Sequence, residues 1–237
     1  MGESKGAVAD MKGDRYYMTQ QDNILLAKRN IVDCIYKEAR LEGIAVTFPD
    51  TYEIYSGRTV AGLSVDDTVK INNLKHAWGF VLDTLSHPID LRYIRQINSE
   101  IGKGIVFSEG VLRTAPVSIG GTTWRPTIPD EKEIGLFITD VVCSNKLSAT
   151  DRAIRSMLYV MRSHLFYDGN KRTAQLLANK IMIENGAGII SVPVEHQHQF
   201  LSMLVSFYET GDEGEIYDFV YDHCIEGIDM KNDSGSR

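Results

Sequence analysis

Residues 164–173 read HLFYDGNKRT and lie between two segments whose apolar residues recur at helical spacing. The upstream segment keeps this spacing from Ile154 to Met161, and the downstream segment runs from about Lys171 to Glu184. Such spacing places apolar side chains on one face of a helix. The pair Gly169-Asn170 suits a tight turn, because glycine readily adopts a positive φ angle. We therefore predict two helices joined by a short loop.

The loop and the start of the second helix combine residue types that bind and transfer phosphate. A histidine at a helix end can act as a general base near neutral pH. An aspartate four residues later offers Mg²⁺ a hard oxygen ligand. A glycine turn at a helix N-terminus presents N–H groups to an anion. A structural histidine beside an ordinary Gly-Asn turn is the alternative, but the coincidence of several features favours a site. Its predicted residues are His164, Asp168, Gly169, Asn170, Lys171 and Arg172.

A glycine- and proline-rich stretch, residues 104–128, interrupts the helical pattern upstream of this loop. Its β-prone run Val117-Ser118-Ile119 lies between Pro116 and the pair Gly120-Gly121. Short runs bounded by turn residues are typical of a hairpin or an extended loop. We predict a β-hairpin inserted in an otherwise helical protein.

The remaining chain also follows helical patterns, so we predict an all-α fold. One helix begins at the capping residue Ser64 and runs to about Leu85, and others cover about 130–142, 195–209 and 213–225. The predicted divisions are a flexible tail at 1–19, an N-terminal helical region at 20–64, the main helical domain at 65–228 and a second flexible tail at 229–237.

The composition excludes several classes of protein. The chain has 237 residues, 43% of them hydrophobic, and a net charge of −7. These values are ordinary for a globular domain, and an acidic chain without a long basic run is poorly suited to nucleic acid. The three cysteines are far apart, which indicates neither a zinc site nor a disulfide framework. No apolar stretch approaches the ~20 residues of a membrane span. We expect a cytoplasmic protein that binds neither membranes nor nucleic acid.

The loop sequence resembles the signature of the Fic (filamentation induced by cAMP) family, H-x-F-x-D/E-G-N-G/K-R. The resemblance implies a Fic-type helical bundle and a protein adenylyltransferase that moves AMP from ATP to a protein hydroxyl of Ser, Thr or Tyr. It implies that His164 is the general base and that Asp168 holds Mg²⁺. It also implies that Gly169, Asn170, Lys171 and Arg172 bind the nucleotide phosphates, and that Phe166 anchors the loop in the core.

The stretch that begins at Gly110-Val111-Leu112-Arg113 is similar to the flap of that family, a hairpin over the active-site loop. The resemblance implies that the flap docks the target segment by strand pairing. Its target-docking residues are then Val117, Ser118, Ile119 and Gly120.

Two positions depart from the adenylyltransferase pattern. Lys171 stands where many AMP-transferring members have Gly, and Gln175 stands where they have a second Arg. The Asn-Lys-Arg form resembles the Doc branch, which transfers phosphate instead. Two alternatives follow: a Doc-like phosphotransferase, and a nucleotide-binding regulatory module with weak catalysis. A toxin–antitoxin partner or self-modification is compatible with each hypothesis.

Many members of the family carry an inhibitory helix with the pattern S/T-x-x-x-E-G/N, whose Glu pairs with the second Arg. Alignment of Thr51–Gly57 with this pattern puts Tyr55 at the Glu position, and Glu53 is a weak, shifted candidate. Loss of this Glu is consistent with Gln175, because each partner of a salt bridge is of little use alone. We therefore expect the usual self-inhibition to be absent, or another contact to replace it.

Overall fold

A computed structural model describes residues 10–229, so residues 1–9 and 230–237 of the predicted tails lie outside the described part. The regular structure of this range consists of nine α-helices, a π-helical segment (Ile138–Val142), a short 3-10 helix (Val194–His196) and a two-stranded antiparallel sheet. The helices are α1 (Gln20–Leu41), α2 (Phe48–Tyr55), α3 (Val65–Asp83), α4 (Leu91–Gly102), α5 (Glu131–Phe137), α6 (Ala149–Ser163), α7 (Asn170–Glu184), α8 (Gln197–Thr210) and α9 (Gly214–His223). The strands are β1 (Ile189–Ile190) and β2 (Ile225–Glu226), which pair Ile189 with Glu226 and Ile190 with Ile225.

The predicted helical fold is confirmed, and the two helices around the loop form its centre. Helix α6 begins at Ser148, whose hydroxyl accepts a hydrogen bond from Asp151 N at 3.0 Å. Helix α7 is buried on nearly all sides from Arg172 to Ile183, and it packs against α1, α3, α4 and α6. Each fully buried apolar side chain stabilises the fold by about 1.5–3 kcal/mol. This packing gives the loop between α6 and α7 a rigid base.

Helices α1 and α2 occupy the predicted N-terminal helical region and share one hydrophobic core with the rest of the bundle. Trp78 of α3, which is fully buried, donates from Nε1 to Glu38 of α1 at 3.1 Å. This bond joins the C-terminal half of α1 to α3, and α1 also packs against α7.

The described part of the predicted N-terminal tail packs on the bundle, which differs from the prediction of a tail that is flexible up to residue 19. Met18 is 8% exposed, and its N–H donates to Gly186 O at 2.8 Å. Arg15 donates to the carbonyl oxygens of Tyr221 and Asp222 at 2.6 and 3.0 Å. Short-range composition misses these contacts because their partners lie near the other end of the chain.

The predicted β-hairpin is not formed within residues 10–229. Residues 111–129 contain one bridge, the antiparallel pairing of Leu112 with Phe166, and no ladder between the two arms of the segment. Pro116 and Pro126 have no N–H to donate to a ladder. The carbonyl groups near both arms instead accept hydrogen bonds from the Arg113 side chain. We call residues 111–129 the flap, and it is an extended strap rather than a hairpin.

None of the helices in residues 10–229 has the combination of length and apolar character that a membrane crossing requires.

Candidate active site

His164 ends α6 in a left-handed backbone conformation, with φ 44° and ψ 62°. Among residues 10–229 it is the one non-glycine residue with positive φ, a conformation that must be held by its surroundings. Its ring Nδ1 lies 2.7 Å from Met161 O, so Nδ1–H donates and Nε2 keeps the lone pair. Burial, more than any neighbouring charge, lowers the pKa of His164. The imidazole is therefore neutral near pH 7 and able to accept a proton.

Asn170 builds the loop with its side chain. Its Oδ1 accepts from Phe166 N at 3.0 Å, and its Nδ2 donates to Phe166 O at 2.8 Å. Phe166 itself is 1% exposed, as expected for a core anchor. The amide of Asn170 is thus occupied by the loop, which leaves its backbone N–H as the group to offer a phosphate.

Gly169 is the turn residue, with φ 77°. A Cβ at this position would lie 3.0 Å from Ile101 Cγ2 and 3.1 Å from Asn98 Nδ2, so glycine is needed both for the backbone conformation and for space. No side chain caps the N-terminus of α7, which Gly169 precedes. Uncapped N–H groups at a helix start attract anions.

Three charged side chains surround this helix start. Asp168 lies on the loop with a half-exposed carboxylate, whose Oδ1 accepts from Gly169 N at 2.7 Å. Arg172 is 3% exposed, and its NH2 group lies 3.3 Å from Asp168 Oδ2. Lys171 is partly exposed and lines the cavity at the helix start. The loop and the first turn of α7 therefore contribute two cations and the carboxylate of Asp168.

Of these groups, all except the buried Arg172 line one cavity of about 320 Å³. Its lining includes His164, all of Asp168–Lys171, and the apolar side chains of Leu201, Leu204, Val205 and Tyr208 from α8. The Tyr208 ring stands edge-on to the His164 ring, with centroids 5.9 Å apart. A polar floor with an apolar wall is suited to a ligand with charged and aromatic parts.

The flap reaches this cavity with two of the four predicted docking residues, Ile119 and Gly120. Val117 and Ser118 lie outside the lining, Val117 partly buried and Ser118 exposed. The flap is anchored beyond them, since Thr122 Oγ1 donates to Glu209 Oε1 at 3.0 Å.

Glu42, directly after α1, is a cavity residue that the sequence reasoning missed. Its Oε1 lies 3.9 Å from Lys171 Nζ and 3.8 Å from Arg172 Nε. The Nε of Arg172 is buried and has no hydrogen-bond partner within the described part of the chain. A carboxylate therefore lies among the cations at the helix start.

This placement corrects the expected alignment of the inhibitory pattern. Tyr55 lies against Lys75, whose Nζ is 5.0 Å from its ring centroid, and Glu53 pairs with Arg58 at the surface. The segment Glu38–Gly43 ends in Glu-Gly and differs from the pattern by Glu38 in place of Ser or Thr. That Glu-Gly pair was the feature of the sequence that could have identified Glu42 as the glutamate of the inhibitory pattern. Of the two alternatives for self-inhibition, none or another contact, Glu42 offers a candidate for the second, and it faces Lys171 and Arg172 instead of a second Arg.

Two further residues support the loop from outside the signature. Asn98 of α4 is 3% exposed, and its Nδ2 donates to Asp168 O at 2.9 Å and to Thr173 Oγ1 at 3.1 Å. Arg113 of the flap is 1% exposed, and its Nε donates to His164 O at 2.5 Å. Neither stands out in the sequence, because polar side chains in a helix or loop usually face solvent.

The donor set limits how a metal ion could bind. Among residues 10–229 no group of three His, Cys, Asp or Glu side chains could enclose one. Asp168 offers the one carboxylate on the loop, partly exposed to the cavity. A single carboxylate fits Mg²⁺ when phosphate oxygens and water supply the remaining ligands, as is common at nucleotide sites.

Comparisons with known proteins find similarity over the segment that contains the loop. A family model described as the Fic/DOC family matches residues 88–182. A protein adenylyltransferase Fic from Aedes aegypti is 25% identical over 223 residues, covering 89% of this chain and 44% of that protein. The solved structure of Fic-1 from C. elegans has a TM-score of 0.68 at 22% identity, covering 83% of this chain and 61% of that one. A Fic domain containing signaling protein from Bacteroides thetaiotaomicron has a TM-score of 0.68 at 20% identity, with 79% and 75% coverage.

At these identities the two solved structures establish the fold. The chain spans less than half the length of the curated Aedes aegypti relative. What that longer protein does as a whole is therefore a hypothesis for this chain.

Proposed function

We propose that this chain, whose residues 88–182 form a Fic/DOC-family segment, is a protein adenylyltransferase that transfers AMP from ATP to a hydroxyl of Ser, Thr or Tyr on a protein. One observation carries the proposal. The neutral ring of His164 and the uncapped start of α7 face the same cavity, whose α8 wall is apolar. A base, an anion site and a surface for a nucleobase therefore lie within reach of one ligand.

In the proposed reaction His164 acts as the general base. Nε2 takes the proton of the attacking hydroxyl, and the hydroxyl oxygen forms a bond to the α-phosphorus of ATP. The bond from the α-phosphorus to the bridging oxygen breaks, and pyrophosphate leaves. The bond from Nδ1–H to Met161 O keeps the correct tautomer and stabilises the ring when it becomes charged. Positioning and charge stabilisation supply most of the acceleration in such transfers.

The start of α7 holds the phosphates in this scheme. The backbone N–H groups that follow Gly169 face the anion, and Lys171 on the cavity wall neutralises its charge. Arg172, which is buried behind the lining beside Asp168 and Glu42, adds positive charge from there. Asp168 would hold Mg²⁺, which supplies charge neutralisation on the phosphates when bound. Asn98 and Asn170 act indirectly, since they hold the loop backbone that presents these groups.

The flap is proposed to dock the target protein. Residues 117–120 have no strand partner within residues 10–229, so their backbone groups can pair with an extended peptide. Ile119 and Gly120 border the cavity, which would bring the hydroxyl of such a peptide towards His164.

Glu42 is proposed to restrain the enzyme. Its carboxylate lies close to the cations that would bind the phosphates, and it would repel the phosphates themselves. Productive nucleotide binding then requires Glu42 to move or to lose its charge. Of the two alternatives that the sequence left open, the proposal takes inhibition by another contact rather than none.

Phosphate transfer is the second candidate, and Lys171 favours it. A lysine at the second position of α7 lines the cavity where a small residue would leave room for an α-phosphate. Gln175 adds to this, because it is 1% exposed, lies outside the cavity lining and contacts Lys171 O at 3.5 Å. Gln175 therefore does not supply the contacts to the outer phosphates that the family's second Arg would make. Cytoplasmic location, an antitoxin partner and self-modification stay predictions of the sequence.

The test is to incubate the full chain with Mg²⁺ and ATP, alone and with a cell lysate, and to measure protein masses. ATP labelled separately on the α- and γ-phosphates distinguishes the candidates. A gain of one AMP that His164→Ala abolishes is the expected result. A gain of one phosphate moves the chain to phosphate transfer. Tight nucleotide binding by calorimetry without any gain in mass favours a regulatory module.

A further inference from the structure

Arg113 is a buried cation with no carboxylate partner in its hydrogen bonds. It is 1% exposed, and all its side-chain hydrogen bonds go to backbone carbonyl groups. The acceptors are the carbonyl groups of Ala115, Pro126, Thr127, Ser163 and His164.

These acceptors belong to three segments that lie apart in the sequence. Ala115 lies on the first arm of the flap, and Pro126 and Thr127 lie on the second. Ser163 and His164 end α6. One guanidinium therefore ties both arms of the flap to the residue that carries the proposed base.

This set of hydrogen bonds requires the side chain of arginine. A guanidinium has five N–H donors in a planar fork, whereas a lysine ammonium has three donors on one atom. Burying a charge without a counter-ion is costly, and hydrogen bonds to several carbonyl dipoles offset that cost. A lysine in this place keeps the charge but cannot reach carbonyl groups on three segments.

The main chain of Arg113 reinforces the connection. Its N–H donates to Leu165 O at 3.0 Å, and the preceding Leu112 pairs with Phe166. Arg113 thus holds three successive carbonyl groups around the strained left-handed residue, those of Ser163, His164 and Leu165. Strain of this kind persists only where neighbouring contacts over-determine the backbone.

We propose that Arg113 is a positioning residue that couples the flap to His164. The same side chain fixes both the left-handed turn at His164 and the separation of the two flap arms. A target peptide docked on the flap is then held at a fixed position relative to Nε2 of His164. The inference rests on the proposed function, because it assigns a role in target transfer to this coupling. Arg113 does not touch substrate in this scheme.

The test compares Arg113→Lys with the matched control Arg125→Lys. Arg125 lies on the same flap but is exposed, and its hydrogen bonds stay within its own turn, to Thr122, Thr123 and Trp124. Arg113→Lys should lower kcat about 100-fold, the cost expected when reacting groups are misplaced by an ångström. Binding of an ATP analogue should stay within about twofold, because the nucleotide site lies on α7 and α8. Arg125→Lys should change neither quantity.

Hydrogen exchange gives a readout that does not depend on activity. In Arg113→Lys, amides of residues 111–129 and 164–169 should exchange faster together, while those of α7 keep their protection. Unchanged kcat with nucleotide binding intact, or faster exchange at α7 as well, would overturn the coupling role. If Arg113→Lys does not fold, Arg113→Gln repeats the comparison.

The unmodified protein supplies a final test that needs no variant. The Arg113 Nε–H should show slow exchange by NMR and should lose protection together with the flap amides in mild denaturant. If the Arg113 Nε–H exchanged as fast as the Arg125 Nε–H, the proposed link between the flap and His164 through the Arg113 side chain would be refuted. If wild type transfers neither AMP nor phosphate, the proposed function fails while this exchange test still decides the coupling.

Discussion

Replacing Glu42 with glutamine should strengthen nucleotide binding by about 10- to 100-fold. The change removes one negative charge and keeps the size of the side chain. Unit charges about 4 Å apart interact by about 4 kcal/mol at an effective dielectric constant of 20. Glu42 lies 3.8 and 3.9 Å from the nearest nitrogens of Arg172 and Lys171, so this value applies to each pair.

The net effect is smaller than that sum. The carboxylate and Lys171 are both partly exposed, with side chains 18% and 28% accessible, so solvent screens their attraction. Removal of the attraction frees the cations for phosphate, and removal of the charge ends its repulsion of the phosphates. We expect about 1.4–2.8 kcal/mol in binding free energy, which is the 10- to 100-fold stated.

The assay is calorimetric titration of the full chain with Mg²⁺ and a non-hydrolysable ATP analogue, for wild type, Glu42→Gln and the control Glu53→Gln. Glu53 pairs with Arg58 at the surface, outside the cavity lining, so its loss should leave affinity unchanged. The gain from Glu42→Gln should shrink at high salt, because exposed charges are screened. Equal affinity of wild type and Glu42→Gln would refute the role of Glu42, and an equal gain in Glu53→Gln would show a non-specific effect of net charge.

Three further predictions concern the site and its support. His164→Ala should lower the transfer rate at least about 100-fold with nucleotide affinity within about twofold; transfer at the wild-type rate, measured by mass spectrometry, would remove His164 as the base. Asp168→Asn should weaken binding of the ATP analogue with Mg²⁺ more than without it; an equal loss in both titrations would count against a metal-binding carboxylate. Burial raises the pKa of Glu38 from its ordinary 4.5 to about 8. Between those values the folded chain keeps a proton that the unfolded chain has released, so the free energy of unfolding should fall as pH rises, by up to about 1.4 kcal/mol per pH unit. Denaturant unfolding of Glu38→Gln should show a flatter dependence from pH 5 to 8, and parallel curves would contradict the raised pKa.

The sequence predicted the loop and its neighbours well because their signals are local. The helix before His164 and the helix after Gly169 follow from apolar spacing over a few turns. Gly169 was predicted as a turn residue and has positive φ. The roles of His164 and Asp168 stay predictions until the transfer and titration experiments are done.

The flap marks the limit of local reasoning. Short β-prone runs between glycine and proline are typical of a hairpin, yet the two arms do not pair in the described part of the chain. The competing partner is the Arg113 side chain, which takes carbonyl groups on both arms. A side chain that satisfies backbone groups across a loop leaves no periodic pattern for sequence analysis to detect.

The sequence by itself therefore determined the helical class and the loop between α6 and α7, since turns and helix faces depend on neighbours within a few residues. It also predicted, from the residue types in that loop, the phosphate chemistry that the experiments are to test. Only the tertiary structure decided that Glu42 lies among Lys171 and Arg172, and that Arg113 ties the flap to His164. Both contacts join residues far apart in the chain, and they exist because α1 packs against α7 and the flap crosses the end of α6. Packing of whole elements, which no short stretch of sequence specifies, brings these charges together.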